Sequence, residues 1–243
     1  MRLDKFLVDC GVGSRTEVKK ILKNKTVKVN EVVETSPKRQ VDPKQDQISV
    51  SGQVLNHERF VYYMLNKPKG VISATEDSKH KTVLDLLDER AHYKDVFPVG
   101  RLDIDTHGLL LLTNNGGLAH AMLSPKKHVS KCYEAKVAGI MTGEDITAFE
   151  RGIALKDFTC LPAQLDILER NEEEKTSLVH ITLKEGKFHQ VKRMVAACGK
   201  EVIDLKRLTM GPLSLDTNLA LGEYRVLTNQ ERESLQVFGV DLD

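Results

Sequence analysis

The chain has 243 residues, of which 40% are hydrophobic, and a net charge of +1, which together fit one large domain or two unequal ones with a sizeable core. Its four cysteines lie far apart without a Cys-x-x-Cys spacing, which argues against a zinc site or a disulfide framework and indicates reduced thiols in the cytoplasm. The N-terminal residues lack a signal-peptide pattern and no apolar run reaches membrane-spanning length, so we expect no membrane partner.

The first fifty residues predict a small unit of two helices and two short strands. Apolar residues recur at helical spacing between positions 2 and 10. Ser14 and Glu17 then fit a capping box, in which each side chain bonds the other's backbone amide, so we expect a second helix from about residue 15 to 25. Alternating side chains predict strands at 27–30 and 47–50.

This unit is basic, unlike the rest of the chain. Residues 1–52 contain 11 Lys or Arg and 7 Asp or Glu, whereas the remaining residues contain 25 and 28. Such a basic region is typical of a surface that binds a polyanion. The alternative, which the sequence leaves equally open, is that the lysines of the second helix only form a solvated face.

Residues 53–59 are polar and predict a linker, so the predicted boundaries are 1–52, 53–59 and 60–243. In the last segment, strands are predicted at 60–65, 71–73, 109–112, 133–137 and 176–184, and helices at 82–87, 118–123, 144–151 and 189–198. These elements do not follow a repeated βαβ order. The predicted fold class is therefore α+β, with a mixed, largely antiparallel sheet in the larger domain.

A charged loop followed by an apolar run lies at the centre of the chain, between Gly100 and Gly116. Arg101, Asp103 and Asp105 precede four consecutive leucines, which predict a short buried strand. A polar loop attached to a core strand is a usual way to hold reactive side chains in place. The structural alternative is a surface loop whose arginine and aspartates only pair with one another.

A second polar cluster lies between Glu185 and Met194, where a strand gives way to a helix. Free backbone amides in the first turn of a helix attract anions, and four potential cations or donors surround this junction. They are Lys187, His189, Lys192 and Arg193. The cluster either holds RNA phosphate, pairs with a catalytic carboxylate or is an ordinary basic helix start.

The order of motifs resembles a known family of RNA-modifying enzymes. Residues 1–52 resemble an S4 RNA-binding domain, through Arg-Leu-Asp-Lys-Phe-Leu, Ser-Arg-Thr-Glu-Val-Lys-Lys and Val-Lys-Val-Asn. The stretch from Gly100 to Gly116 is similar to the signature of pseudouridine synthases of the RsuA/RluB/RluE/RluF group. Three further motifs of that group are similar to Leu65–Gly70, Lys131–Tyr133 and Glu185–Met194.

The resemblance implies an isomerase that converts uridine in ribosomal RNA to pseudouridine without a cofactor or a metal. Asp103 would be the catalytic carboxylate, acting on the sugar or the base. Lys192, with Arg193 as the next candidate, would keep that carboxylate ionised. Tyr133 would stack on the flipped uracil and Arg101 would support the displaced nucleotide, although Tyr133 could also be an ordinary buried aromatic.

The expected RNA contacts are Arg2, Lys5, Arg15, Lys19, Lys20, Lys23, Lys67, His189 and Gln190. Within the group, Ser124–Val129 and Phe188–Met194 are similar to the small-subunit members, so the expected partner is 16S rRNA or a small-subunit assembly intermediate, bound by a monomer at the uridine typical of RsuA-type enzymes. Asn115 stands where the family often has Asp.

Three other functions stay open at this point. A large-subunit (23S) rRNA pseudouridine synthase would share most of these motifs. A non-catalytic S4 RNA-binding protein would not need Asp103 with a cationic partner. A glycoside or nucleoside hydrolase would release free uracil and would use two carboxylates across the bond. We expect Asp105 to point away from Asp103 in an extended loop, which does not favour the hydrolase.

Overall fold

The computed structural model describes all 243 residues, which form two compact units. The first unit comprises residues 1–61 and 87–96 with residue 243, and the second comprises 62–86 and 97–242. All four cysteines are free thiols. None of the helices combines the length and the apolarity needed to cross a bilayer.

The first unit contains three helices and a four-stranded antiparallel sheet. The helices are α1 (Leu3–Asp9), α2 (Arg15–Lys23) and α3 (Glu89–Tyr93). The strands are β1 (Val27–Val29), β2 (Val32–Val33), β3 (Ile48–Val50) and β4 (Gln53–Val54), in the spatial order β2-β1-β3-β4. Its core is aliphatic except for Phe6, which is almost fully buried between the helices and the sheet.

The two helices and two strands predicted for this unit are confirmed, and so is the capping box. The Ser14 hydroxyl accepts a hydrogen bond from the Glu17 amide, and the Glu17 carboxylate accepts one from the Ser14 amide at 2.8 Å. Val18 and Leu22 are fully buried on one side of α2. Residues 53–54, predicted as linker, form β4, because their backbone completes the edge of the sheet beside β3.

The second unit is built on one nine-stranded sheet. Its strands are β5 (Tyr62–Lys67), β6 (Phe97–Pro98), β7 (His107–Thr113), β8 (Lys131–Ala138), β9 (Gln164–Asn171), β10 (Thr176–Leu183), β11 (Glu201–Met210), β12 (Leu213–Ser214) and β13 (Tyr224–Val226). Its helices are α4 (Gly116–Leu123), α5 (Gly143–Arg151), α6 (Gln190–Ala197) and α7 (Asn229–Ser234).

The spatial order of this sheet is β13-β5-β7-β11-β8-β10-β9, with β6 paired to β7 and β12 to β11. All pairings are antiparallel except that of β7 with β11. The mixed, largely antiparallel sheet predicted from the sequence is therefore present. The leucine run 109–112 lies in β7, in the middle of the sheet, and all four side chains are fully buried.

Two predicted elements are wrong. Residues 71–73 do not continue as a strand but make a single bridge, between Ile72 and Thr82, because only the Ile72 backbone bonds to the facing segment, through the Lys81 carbonyl and the Val83 amide. The Ser73 side chain is bound to the backbone of Leu102. The helix predicted at 82–87 shortens to one 3-10 turn, Leu84–Leu86. The Asp85 carboxylate accepts hydrogen bonds from the amide and the hydroxyl of Thr82, which closes the segment as a tight turn.

The acidic C-terminal segment has a structural role at the buried Asn115. The Asn115 side-chain oxygen accepts a hydrogen bond from the Leu118 amide and caps α4, while its nitrogen donates to the Tyr62 hydroxyl and to the Asp241 carbonyl. An aspartate could cap the helix but could not donate the other two bonds. The amide at this position thus links the strand β5, the helix α4 and the end of the chain.

Candidate active site

A cavity of about 590 Å³ opens on the second unit, and we call it the active-site cavity. The loop before β7, the start of β8, the start of α6 and the strand β11 all contribute side chains to its wall. Four of the residues predicted to surround the reacting uridine line it: Arg101, Asp103, Tyr133 and Lys192. Its volume is within the range of pockets that enclose a small ligand.

The loop that contains Asp103 is held by backbone hydrogen bonds on both sides. The amide of Leu102 donates to the Ser73 hydroxyl, which in turn donates to the Leu102 carbonyl, both at 3.0 Å. The amide of Thr106 donates to the Asp103 carbonyl at 3.0 Å, and the amide of Gly70 donates to the Ile104 carbonyl. The carboxylate of Asp103 therefore projects from a fixed turn rather than from a free loop.

Lys67 stabilises this turn through hydrogen bonds, and its position does not fit the RNA-binding role predicted for it. Its side chain is fully buried, and its ammonium group donates to the carbonyls of Pro68, Asp103 and Thr106 at 2.9–3.1 Å. Burial lowers the pKa of Lys67 to about 8, and the carboxylates of Asp103 and Asp105 oppose that fall. The three donors of this ammonium group are all occupied, so Lys67 is a positioning residue.

Lys192 joins the two aspartates of the loop. Its ammonium nitrogen lies 3.2 Å from the Asp103 carboxylate and 2.6 Å from that of Asp105. Its hydrogen bond, more than any other interaction, holds the pKa of Asp105 below the usual range. The expectation that Asp105 points away was therefore wrong in one respect, because the two carboxylates share one cation.

His189 and Gln190 belong to the second polar cluster and lie at the start of α6. The His189 imidazole lies 3.6 Å from the other oxygen of Asp103, with the backbone of His189 in a left-handed conformation. Gln190 was predicted to contact RNA, but its side chain is buried and bonded to the Lys187 amide and the Glu185 carboxylate. Gln190 fixes the turn before the helix, so the prediction of an RNA contact does not hold there.

Arg193, the second candidate for a partner of Asp103, is directed elsewhere. Its guanidinium forms an ion pair with Asp157 and lies 5.1 Å from the centre of the Phe158 ring. Arg193 lies about 100° around the helix from Lys192, and it does not line the cavity. The arginine instead ties α6 to the loop that precedes β9.

Tyr133 and Arg101 both line the cavity but differ in exposure to solvent. Tyr133 is 9% exposed on β8, directly opposite Arg207 in the neighbouring strand β11. Arg101 is exposed and forms no ion pair or hydrogen bond within the protein. The buried ring can pack against a base that enters the cavity, and the free guanidinium can meet a phosphate outside it.

The predicted cations of the first unit are exposed. Arg2 pairs with Asp4 and Lys5 pairs with Asp9. The four others, on α2, have no ion pair of their own: Arg15, Lys19, Lys20 and Lys23. Positions 15, 19 and 23 are spaced by four residues and so share one face of the helix, which leaves a row of uncompensated positive charge.

Three side chains of the cavity have no role assigned from the sequence, although two of them lie in the family motifs. Phe188 is 73% exposed, and its ring stacks on that of His189 at a centroid distance of 3.7 Å. Lys131 and Arg207 line the cavity as buried cations on β8 and β11. An aromatic residue next to the basic cluster was the available signal for Phe188, whereas nothing in the local sequence shows that Lys131 and Arg207 are buried.

Gly108 is required where β7 leaves the loop. Its φ is 101°, and a Cβ atom there would lie 2.4 Å from the Arg207 carbonyl oxygen on β11. Because that neighbour is backbone, it cannot move aside. The absence of a side chain at this position is what lets β7 and β11 pair in parallel next to the cavity.

Comparison with known proteins identifies the family. Residues 61–197, which include the whole loop around Asp103, match the family described as RNA pseudouridylate synthase. Residues 1–48 match the S4 domain.

The chain belongs to the RNA pseudouridylate synthase family.

Relatives of this pseudouridine synthase span nearly the whole chain. It is 46% identical to an uncharacterized RNA pseudouridine synthase of Bacillus subtilis, YtzG, over 95% of this chain and 96% of that protein. It is 41% identical to the ribosomal small subunit pseudouridine synthase A of Yersinia pestis, over 97% and 98%. It is 40% identical to the ribosomal large subunit pseudouridine synthase B of Bacillus subtilis, over 97% and 95%.

A solved structure agrees with this assignment. The crystal structure of a pseudouridylate synthase, 35% identical in sequence, superimposes with a TM-score of 0.66 and covers 97% of this chain and 99% of its own. The enzyme therefore combines an S4 domain with a pseudouridine synthase fold, as the motif order predicts. No group of three His, Cys, Asp or Glu side chains is placed to hold a metal ion.

Proposed function

We propose that this enzyme converts one uridine of small-subunit (16S) ribosomal RNA to pseudouridine, with Asp103 as the catalytic carboxylate. The observation that supports this most directly is the position of Asp103 on a fixed turn in the cavity, 3.2 Å from the ammonium of Lys192. The reaction breaks the N1–C1′ bond, turns the base and joins C5 to C1′. It needs no redox step, so a single ionised carboxylate can perform it.

The surroundings of Asp103 suit a carboxylate that must remain charged in a closed site. Lys192 donates a hydrogen bond to this carboxylate, and the buried ammonium of Lys67, bound to the Asp103 backbone carbonyl, interacts with it electrostatically. Both positive charges offset the cost of removing the carboxylate from water. Asp105 is 64% exposed at its side chain, whereas Asp103 is 29% exposed. We therefore assign the reaction to Asp103 and a supporting role to Asp105.

The ribosomal subunit is the finer part of the proposal. The relatives are named for both subunits, with identities of 41% and 40%, and these values do not discriminate. The resemblance of Ser124–Val129 and Phe188–Met194 to small-subunit members favours 16S rRNA. Modification of 23S rRNA is the second candidate, on the strength of the large-subunit relative. We place the reaction in the cytoplasm, where ribosomal RNA is assembled with protein.

Transcripts of 16S and 23S rRNA test this assignment. Each is incubated with the purified enzyme, both as naked RNA and as a partly assembled subunit, and pseudouridine is mapped along the whole transcript. We expect one modified uridine in 16S rRNA and none in 23S rRNA. A single site in 23S rRNA would transfer the proposal to the second candidate, and release of free uracil would contradict an isomerase.

The S4 domain is expected to supply affinity rather than catalysis. Reversing the charge of Arg15, Lys19 and Lys23 together should raise KM several-fold with little change in kcat, because these exposed cations neutralise RNA phosphates. Each lost contact should reduce the slope of log K against log salt by roughly 0.7 to 0.9. Filter binding across a salt series measures both effects.

A matched control reverses three other exposed cations of the same domain, Lys38, Arg39 and Lys44. This variant has the same change in net charge, so it separates phosphate contacts of α2 from a general loss of attraction. If the α2 variant keeps the affinity and the salt slope of the wild type, its lysines are only a solvated face and the docking role is wrong.

Phe188 is expected to stack on a base of the RNA next to the target. An exposed aromatic ring beside a basic cleft is typical of single-strand binding, and stacking contributes about 1 to 3 kcal/mol per base. Phe188→Ala should therefore raise KM at least about fivefold, which corresponds to the lower of these values. Phe188→Tyr should retain the wild-type KM. Equal KM values for wild type and the Ala variant would remove Phe188 from the RNA interface.

A further inference from the structure

The wall of the active-site cavity contains a buried ammonium group that is not fully bonded. Lys131 is 9% exposed, and its only hydrogen bond is to the Val129 carbonyl at 2.8 Å. Lys67, the other buried lysine beside the cavity, uses all three of its donors on carbonyls. Lys131 therefore has donors to spare, and it lines the cavity where a bound molecule can accept them.

Arg207 lies next to it and is also incompletely bonded. Its guanidinium is 2% exposed and donates through Nε to the Leu109 carbonyl at 2.8 Å, but its Nη2 atom is buried without a partner. Arg207 stands opposite Tyr133 in the sheet, and Lys131 is two residues before Tyr133 on the same strand. The three side chains therefore share one face of the sheet, at the cavity.

No carboxylate compensates these two cations. Burial lowers the pKa of Lys131 to about 8, and the positive charge of Arg207 contributes to the fall. Two buried like charges with free donors destabilise the empty protein. Such an arrangement is typical of a site that receives negative charge from a ligand.

On the basis of the proposed function, we propose that Lys131 and Arg207 bind the carbonyl oxygens of the target uracil and stabilise the negative charge that the base acquires during the reaction. An RNA phosphate is the less suitable occupant, because phosphates remain on the backbone outside a cavity that admits one base. The exposed Arg101 is placed for them, whereas Lys131 and Arg207 are buried.

The charge arises when the glycosidic bond breaks. Whether the Asp103 carboxylate attacks C1′ or removes the proton from C2′, the electron pair of the N1–C1′ bond leaves with the base. The resulting uracil anion spreads this charge over N1, C5 and both carbonyl oxygens. When C5 bonds to C1′, the proton on C5 is lost and N1 gains one, so the net composition is unchanged. Cations fixed in advance at the oxygens lower the barrier to bond cleavage without having to reorganise.

Lys131→Met tests this role, with Lys136→Met as the matched control. Lys136 is on the same strand but is exposed, where it pairs with Glu174. Single-turnover rates are measured with excess enzyme on the rRNA transcript, together with the RNA dissociation constant and Tm. We expect the Lys131 variant to react at least 100-fold more slowly, with a dissociation constant within twofold of the wild type and a Tm that is equal or higher. The control should match the wild type in all three.

A second substrate separates charge stabilisation from simple support of the fold. In RNA with 5-fluorouridine at the target position, the fluorine withdraws electrons and the base leaves more readily as an anion. The loss caused by Lys131→Met in the cleavage step should then be smaller than with uridine. An equal loss on both substrates, an unchanged rate, or a lost rate with a lowered Tm would each overturn the proposal. Failure of the wild type to form pseudouridine in rRNA would instead contradict the proposed function.

Discussion

Asp103→Asn is expected to abolish pseudouridine formation while RNA binding survives. The amide has the shape of the carboxylate and can still accept a hydrogen bond from Lys192, so the loop should keep its conformation. It can neither attack C1′ nor remove a proton, so the single-turnover rate should fall by about 10³-fold or more, equivalent to about 4 kcal/mol. The RNA dissociation constant should stay the same or decrease, because a negative charge has been removed near the RNA.

Asp105→Asn is the matched control for this experiment. The two aspartates are two residues apart, share the ammonium of Lys192 and undergo the same chemical change. We expect the Asp105 variant to retain substantial activity, because the Asp105 side chain is mostly exposed and Lys192 keeps its bond to Asp103. Full activity in the Asp103 variant, or complete loss only in the Asp105 variant, would mean that the wrong carboxylate has been assigned.

Lys192→Met is expected to lower kcat about 100-fold at neutral pH, equivalent to about 2.7 kcal/mol, and to move the acidic limb of the pH–rate profile to higher pH. Lys192 is the shared cation of two neighbouring carboxylates, and its hydrogen bonds to Asp105 and Asp103 raise its own pKa although burial opposes this. Without it, Asp105 loses the hydrogen bond that holds its pKa down, so a proton stays on this carboxylate beside Asp103 up to a higher pH. Activity measured from pH 5 to 9 checks this shift.

Two further variants serve as controls for this result. Lys192→Arg should keep part of the activity, since the positive charge is retained although the geometry differs. Arg193→Met should leave the pH–rate profile unchanged, because Arg193 pairs with Asp157 rather than with the cavity. A normal profile in the Lys192 Met variant would exclude Lys192 from the site and would require another source for the positive charge at Asp103.

Much of the fold follows from local sequence signals. The capping box at Ser14 and Glu17 defines the start of α2, and the uninterrupted leucine run predicts the buried strand β7. The strand β11 was missed because its charged residues alternate irregularly and two register shifts interrupt its pairing with β8. A pattern with period two cannot be recognised where the strand itself departs from that period.

The site was predicted less completely than the fold. The family motifs predict that Asp103, Tyr133 and Lys192 belong to one site. In the structure all three line one cavity, although Asp103 and Lys192 are 89 positions apart in the chain. Sequence cannot show that the amine of Lys67 is enclosed by three carbonyls, two of them from a loop more than 30 residues away. A lysine is usually exposed, so burial of this kind depends on tertiary contacts that no local pattern contains.

The central claim is that Asp103 is the catalytic carboxylate of an rRNA pseudouridine synthase. It is tested most directly in cells that lack the gene for this protein. The wild-type protein or the Asp103→Asn variant is returned at equal abundance, and pseudouridine is mapped across 16S and 23S rRNA. We predict that the wild type restores one pseudouridine in 16S rRNA and that the Asn variant restores none. Restoration of the same pseudouridine by the Asn variant would contradict the account.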